Sequence, residues 1–118
     1  MGNLSASSGF RRRAGASRGC QTRQVDLAAF QQLMVDTYGE RDRARGTAVS
    51  VAWLTEEVGE LAQSIRKGTP DQQLHELADV LAWLASLAAQ LGLSLDDATA
   101  RYASGCPRCG RIPCTCPL

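Results

Sequence analysis

Hydrophobic residues recur along the chain at the spacing of amphipathic helices, and the pattern predicts four helical segments. The first covers residues 25–39, with Gly39 as its expected end and the charged segment 40–46 as a connector. The second runs from about 48 to 66 and stops at the glycine and proline of "KGTP". The third covers 72–92 after its expected N-cap Asp71, and the fourth covers 94–103 with Ser94 as its cap. No segment alternates as a strand does, so an all-α four-helix bundle is predicted.

The third segment is the most apolar of these helices. Hydrophobic side chains cover more than half of its circumference, which predicts a central position in the bundle. A chain with helices this short buries little apolar surface by itself, so we expect a homodimer or homotetramer to cover the rest. The residues concerned are Leu74, Leu77, Val80, Leu81, Leu84, Leu87, Ala88 and Leu91.

Charge and composition divide the chain into three parts. Residues 1–24 contain five arginines and no acid and are expected to be a disordered basic tail; residues 25–104 form the helical domain, and 105–118 a cysteine-rich tail. After the basic tail, eight basic residues stand against twelve acids, so this body does not attract polyanions and no nucleic-acid partner is expected. No apolar run is long enough for a membrane span and the start lacks the apolar part of a secretory signal. We therefore expect a cytoplasmic protein without a membrane partner.

Acidic residues are paired on the second and third predicted helices. Glu57 and Glu60 are three positions apart, as are Glu76 and Asp79, and residues at this spacing share a helix face. Glu56 lies beside the first pair. The short connection makes the two helices antiparallel neighbours, so the pairs can face each other. Asp79 lies among apolar residues, where an unpaired charge is costly.

Carboxylates that converge in this way need a positive partner. Hard divalent cations prefer oxygen ligands, so we expect Mg²⁺ or Mn²⁺. A di-iron centre needs Glu-x-x-His from two helices, whereas His75, the one histidine, does not fit that pattern. Each pair taken alone is better explained as a solvated helix face, but two matched pairs on consecutive helices favour the metal.

Four cysteines lie in the C-terminal tail with the spacing C-x2-C-x4-C-x-C. The "CPRCG" half is typical of a zinc knuckle, in which proline and glycine bend the chain so that two sulfurs meet one ion. Structural Zn²⁺ is predicted here, the alternative being a reduced or disulfide-linked tail without metal. The four predicted ligands are Cys106, Cys109, Cys114 and Cys116, whereas Cys20 has no assigned role.

"EEVGE" (56–60) followed by "ELAD" (76–79) resembles the E-E-x-x-E … E-x-x-D signature of MazG-like nucleotide pyrophosphohydrolases, in the all-α NTP pyrophosphatase superfamily. The resemblance runs from Val25 to the C-terminus, and "RYASGCPRCGRIPCTC" is similar to the tails of a cysteine-rich subgroup. It implies an oligomeric helical enzyme that uses Mg²⁺ to hydrolyse nucleoside triphosphates to the monophosphate and pyrophosphate. It also implies Glu57, Glu60, Glu76 and Asp79 as metal ligands. Glu56 and Glu57 would be the catalytic acids, with Glu56 as an additional ligand or a group that orients the attacking water.

Cations at the rim of this site are expected to contact the phosphates. Lys67 is the first candidate, with Arg66 behind it. Arg101 occupies a position where the resemblance implies a lysine, which keeps the charge and changes its geometry. Trp53 and Trp83 either stack on the nucleobase or pack in the core.

The segment "YGERDRARG" is expected to close over the base or ribose through Arg41, Asp42 and Arg45. Two alternatives to the triphosphate activity remain. One is a phosphoribosyl-ATP-type pyrophosphatase on the same scaffold, and the other is a non-enzymatic, zinc-tailed oligomeric adaptor.

Overall fold

The computed structural model describes residues 24–118, which form four α-helices. They are α1 (Leu27–Arg45), α2 (Thr47–Lys67), α3 (Pro70–Gln90) and α4 (Leu95–Thr99), followed by a 3₁₀ turn at Ala100–Tyr102. No strand occurs among these residues, so the predicted all-α fold is confirmed. The predicted basic tail, with Cys20, lies outside the described residues except for Gln24.

Helix α1 is longer than predicted, because it continues through Gly39 and the charged segment to Arg45. A glycine inside a helix costs about 1 kcal/mol relative to alanine, but tertiary packing holds the residues that follow. Asp42 is buried and accepts a hydrogen bond from Arg45 at 3.3 Å. The helix ends at Gly46, whose φ of 85° favours glycine and whose N–H donates to the Asp42 carbonyl.

The turn between α2 and α3 is built around Thr69, which is the N-cap of α3 in place of the predicted Asp71. Thr69 forms a capping box: its hydroxyl accepts from the N–H of Gln72, whose side-chain oxygen accepts from the N–H of Thr69. Pro70 suits the first helical position because no hydrogen-bond donor is needed there. These reciprocal bonds explain why the helix begins before Asp71.

The end of the helical region is tied to α1. Ser94 caps α4, as predicted, by accepting a hydrogen bond from the N–H of Asp97. Gln31 on α1 holds the preceding turn: its amide nitrogen donates to the Leu93 carbonyl at 2.7 Å, and its amide oxygen accepts from the N–H of Leu95 at 2.8 Å. The α3–α4 turn is therefore fixed against the start of the bundle.

Helix α3 packs against both α1 and α2, which confirms its predicted central position. Its contact face contains the buried residues Ala85, Ser86 and Ala88, and such small side chains let helix backbones approach closely. Among the described residues, no single helix has the length and hydropathy of a membrane span. Among the same residues, only α3 taken together with the segment Leu95–Tyr102 has the required length and hydropathy, and this pair is bent by 108°.

A large apolar surface remains uncovered on α2 and α3. The exposed fraction is 64% at Ile65 and 67% at Leu74. Within residues 24–118, only Met34, Ala85 and Ala88 are buried hydrophobic residues. The exposed side chains recur at heptad spacing, as on helices that pack against a partner. They are Val51, Val58 and Ile65 on α2, and Leu74, Leu77, Leu81, Leu84 and Leu91 on α3.

Candidate active site

Three carboxylates converge between α2 and α3. One oxygen from each of Glu57, Glu76 and Asp79 lies within 4.8 Å of the other two, and all three residues are half-buried. Glu76 and Asp79 occupy one face of α3 because they are three residues apart. The short turn after α2 brings Glu57 opposite them. The structure thus places three of the four predicted metal ligands in one cluster, which we call the acid cluster.

Within residues 24–118, no lysine or arginine pairs with the acid cluster. Glu57 and Glu76 form no ion pair there, and the Oε2 atom of each is buried without a hydrogen-bond partner. Burial raises the pKa of Glu57, and the charges of Glu60, Asp79 and Glu76 raise it further. Oxygens bound to one Mg²⁺ ion are about 3 to 4 Å apart, because each Mg–O distance is about 2.1 Å. Small side-chain rotations therefore suffice for the acid cluster to hold such an ion.

A polar groove extends from the acid cluster towards the α2–α3 turn. Its volume is about 270 Å³, and Glu60, Glu76 and Lys67 line it. The polar groove shares Glu76 with the acid cluster, and Glu60 lines the same groove. Glu60 therefore lies beside the cluster without belonging to it. Lys67 is the one cationic side chain of this groove, so an anionic group has a single positive partner there.

A cavity between α1 and α3 adjoins the acid cluster towards the other end of α3. Its volume is about 200 Å³, and Asp79 belongs both to its wall and to the acid cluster. A molecule that occupies this α1–α3 cavity and extends into the polar groove would pass directly over the carboxylates. The other lining residues are Tyr38, Arg41, Asp42 and Arg45 from α1, and Ala82, Trp83 and Ser86 from α3.

The two tryptophans stack on each other beside the acid cluster. The ring centroids of Trp53 and Trp83 are 5.8 Å apart and their planes differ by 8°. The guanidinium of Arg45 lies over the Trp83 ring, 5.2 Å from its centroid. Trp83 is thus engaged in packing, whereas Trp53 keeps an exposed surface.

The remaining predicted site residues lie outside both openings. Glu56 and Arg66 are exposed on α2, and Arg101 is exposed in the 3₁₀ turn. None of the three lines the polar groove or the α1–α3 cavity. His75 is also exposed, and its Nε2 lies 3.4 Å from Oδ2 of Asp79. The imidazole therefore contacts a member of the acid cluster from the solvent side.

Residues 46–105 match the family model of the MazG nucleotide pyrophosphohydrolase domain. The match contains α2, α3 and α4, and with them the whole acid cluster. The chain belongs to the MazG family. No curated protein matches the chain as a relative. In this MazG protein, helix α1 and residues 106–118 lie outside the matched residues.

The four tail cysteines also converge. Their Sγ atoms all lie within 4.8 Å of one another, with 3.8 Å between Cys106 and Cys116 and 3.9 Å between Cys109 and Cys114. Around a tetrahedral Zn²⁺ ion with Zn–S distances of about 2.3 Å, two sulfurs are about 3.8 Å apart. The sulfur positions therefore fit a closed four-thiolate site.

Hydrogen bonding makes these thiols unequal. A backbone hydrogen bond from Thr115 is the largest of the influences that lower the pKa of Cys109 to about 6. The thiol of Cys116 shares hydrogen bonds with its neighbours, Cys114 first, and its pKa is raised to about 11. The thiol of Cys109 therefore loses its proton more readily than that of Cys116, and a cation that binds both must displace the proton of Cys116.

Sequence reasoning missed two residues of the α1–α3 cavity, Tyr38 and Ser86. Tyr38 is four residues before Asp42 and seven before Arg45, so the three share a face of one continuous helix. Ending the helix at Gly39 concealed this relation. Ser86 had its own signal, since it is a polar residue inside the apolar stretch of α3.

Proposed function

We propose that this protein is a Mg²⁺-dependent nucleoside triphosphate pyrophosphohydrolase, which releases pyrophosphate and leaves the nucleoside monophosphate. The acid cluster carries the proposal, because two of its buried carboxylate oxygens have no partner within the described residues. A triphosphate is an anion and is repelled by such acids unless cations are bound between them. Membership of the MazG family supports nucleotide pyrophosphohydrolase chemistry in general.

Glu57, Glu76 and Asp79 would hold the metal, and Glu60 would join them from the polar groove. When bound, Mg²⁺ neutralises phosphate charge and stabilises the leaving pyrophosphate. In the reaction, the oxygen of water bonds to the α-phosphorus as the bond from that phosphorus to the bridging oxygen breaks. The carboxylate of Glu57 would align this water and accept its proton, whereas Glu56, which is exposed on α2 and lines neither opening, is left without a role in this step.

The α1–α3 cavity and the polar groove lie on either side of the acid cluster, and we propose that the substrate binds along this line. The base lies in the α1–α3 cavity, where Arg41 and Asp42 contact the base or ribose. The α-phosphate lies over the acid cluster, and the leaving phosphates enter the polar groove. Lys67 meets them there, with Arg66 at its rim.

A second copy of the chain covers the exposed heptad positions of α2 and α3. Both helices present apolar side chains at the spacing of helices that pack side by side, and one chain leaves them in water. Two such helix pairs, one from each chain, form a four-helix packing unit that buries these side chains. The assembly is therefore a homodimer or a pair of such dimers.

We also propose that the cysteine cluster binds Zn²⁺ as a structural ion. All four ligand positions are supplied by the protein, which excludes a water ligand and hence a catalytic role. Thiolates persist in a reducing compartment, which agrees with a cytoplasmic location.

Release of pyrophosphate from a panel of dNTPs and NTPs, with and without Mg²⁺, tests the activity. We expect turnover only with the metal. Glu57→Gln should lower kcat by at least about 100-fold, since even groups behind a metal ligand contribute 10–100-fold. Glu40→Gln removes an exposed carboxylate of α1 outside both openings and should leave kcat unchanged.

Other outcomes of the panel identify the alternatives. Turnover confined to phosphoribosyl-ATP would assign the rival pyrophosphatase activity. If neither the triphosphates nor phosphoribosyl-ATP are hydrolysed, the result would contradict an enzymatic role and favour the adaptor.

A further inference from the structure

Asp42 is a buried carboxylate in the wall of the α1–α3 cavity. Only 3% of its surface is exposed, although aspartate is almost never enclosed without partners. Within residues 24–118 its carboxylate receives a single hydrogen bond, from Arg45 at 3.3 Å. An ionised carboxylate has about four acceptor positions. Asp42 therefore keeps acceptor positions beyond this one bond, on a side chain that lines the α1–α3 cavity.

The α1–α3 cavity suits one flat ring. Tyr38 and Trp83 line it with aromatic surface, and Ser86 supplies a hydroxyl. Its volume of about 200 Å³ lies below the roughly 300–1,000 Å³ of sites that enclose a whole drug-sized ligand. A nucleotide can thus insert its base and must leave its phosphates outside. Asp79 belongs both to the cavity wall and to the acid cluster, so the phosphates of a nucleotide bound in this way would start near Asp79.

We propose that Asp42 accepts a hydrogen bond from the exocyclic amino group of the base, so that the enzyme prefers triphosphates of amino-bearing bases such as cytosine over uracil. The inference rests on the proposed function, since it names the substrate class of the same site. Cytosine presents an N–H donor at its 4-position, whereas uracil presents a carbonyl oxygen there. A carboxylate can only accept, so uracil brings two acceptors together.

Uracil keeps an N–H at its 3-position between two carbonyl oxygens, so a carboxylate that accepts from it lies close to both carbonyls, whereas the amino group of cytosine has one neighbouring acceptor. Sites built to hydrogen-bond a substrate group discriminate strongly against analogues without it, because the buried protein group is left unpaired. Asp42 lies on helix α1, before the residues that match the family model.

The test compares kcat/KM for dCTP and dUTP. The unaltered enzyme should prefer dCTP by at least about tenfold, the equivalent of one net hydrogen bond. Asp42→Asn offers both a donor and an acceptor, so it should bring the dCTP/dUTP ratio close to one. Asp36→Asn changes an exposed carboxylate of the same helix, bonded to Gln32, and should keep the original ratio.

The outcomes separate this inference from the function beneath it. If no triphosphate is hydrolysed, the proposed function fails. If dCTP and dUTP are hydrolysed equally by the unaltered enzyme, or if active Asp42→Asn keeps the dCTP preference, the role of Asp42 is overturned and the function stands. A changed CTP/dCTP ratio with an unchanged dCTP/dUTP ratio also overturns it, since Asp42 then reads the ribose.

A substrate-side change covers the case in which Asp42→Asn does not fold. A dCTP analogue with hydrogen in place of the 4-amino group should lose the same factor in kcat/KM with the unaltered enzyme. Full activity on this analogue would contradict the proposal.

Discussion

At the scale of single side chains, the surroundings of Glu57 disfavour its negative charge. Its pKa is raised above the ordinary 4.5 by burial first and by the neighbouring acids second. The folded protein therefore binds the Glu57 proton more tightly than the unfolded chain does. In the metal-free protein, the stability associated with this group is complete below pH 4.5 and is lost as the pH rises through the raised value. A divalent cation would offset that loss.

Removal of the Glu57 charge should consequently stabilise the metal-free protein at neutral pH. We expect Glu57→Gln to raise Tm by a few degrees at pH 7 in EDTA and to have no such effect near pH 4, where Glu57 is protonated in both states. Mg²⁺ should raise Tm of the unaltered protein more than that of the variant. Thermal melts at both pH values measure this, with Glu40→Gln as the control; a lower Tm for Glu57→Gln at pH 7 would show that repulsion does not dominate.

Between helices, the α2–α3 turn determines how the acid cluster is assembled, because Glu57 comes from one helix and Glu76 from the other. Gly68 occupies the tightest point of this turn: a Cβ there would lie 2.7 Å from the carbonyl oxygen of Ser64. That oxygen belongs to the backbone and cannot rotate away. At Gly59, in the middle of α2, a Cβ would meet no atom within 4 Å.

The same substitution, glycine to alanine, should therefore have opposite effects on stability at these two positions. Gly68→Ala should lower the free energy of unfolding by about 1–3 kcal/mol, as overpacking does, and should reduce kcat by displacing α3 against α2. Gly59→Ala should raise it by roughly 0.5–1 kcal/mol, because alanine is the better helix former. Urea titration compares them. Equal stability of the two variants would refute a steric role for Gly68.

The cysteine tail is expected to depend on its ion in the same way that a small zinc domain does. We expect one Zn²⁺ per chain by elemental analysis and its loss in Cys109→Ser, which removes the thiol of lowest pKa. Cys20→Ser should retain the metal, because it leaves all four predicted ligand thiols in place. Retention of a full zinc content by Cys109→Ser would exclude a four-thiolate site.

For the whole molecule, the decisive feature is an apolar surface that one chain cannot bury. The described residues enclose few hydrophobic side chains, while α2 and α3 present leucine, valine and isoleucine to water at heptad spacing. Exposed surface of this kind marks an interface. The proposed association would supply an apolar core that the described residues of one chain lack.

A charge placed in this surface should separate the subunits. We expect sedimentation equilibrium to give a dimer or tetramer for the unaltered protein and a smaller species, with lower Tm, for Ile65→Glu. Ala28→Glu lies on an exposed position of α1 and should leave the assembly intact. A monomeric unaltered protein at micromolar concentration would rule out the assembly.

The helices and the acid pairs were predictable from the sequence because they depend on short-range regularities. Three-residue spacing places Glu76 and Asp79 on one face of any helix, and the apolar periodicity of α3 predicts an amphipathic helix. The Ser94 cap is likewise a local signal. The cysteine spacing likewise predicts that the four thiols of the tail meet, as they do in the structure.

Other features arise only when helices meet. Gly39 resembles a helix end in sequence, but α1 continues past it to Arg45, and the buried Asp42 shows that this continuation packs against the rest of the bundle. The stacking of Trp53 on Trp83 and the orphaned oxygen of Glu57 also depend on contacts between different helices. Local spacing determines which residues share a face of one helix. Which faces meet, and what is left buried between them, depends on the free energy of packing residues that are distant along the chain.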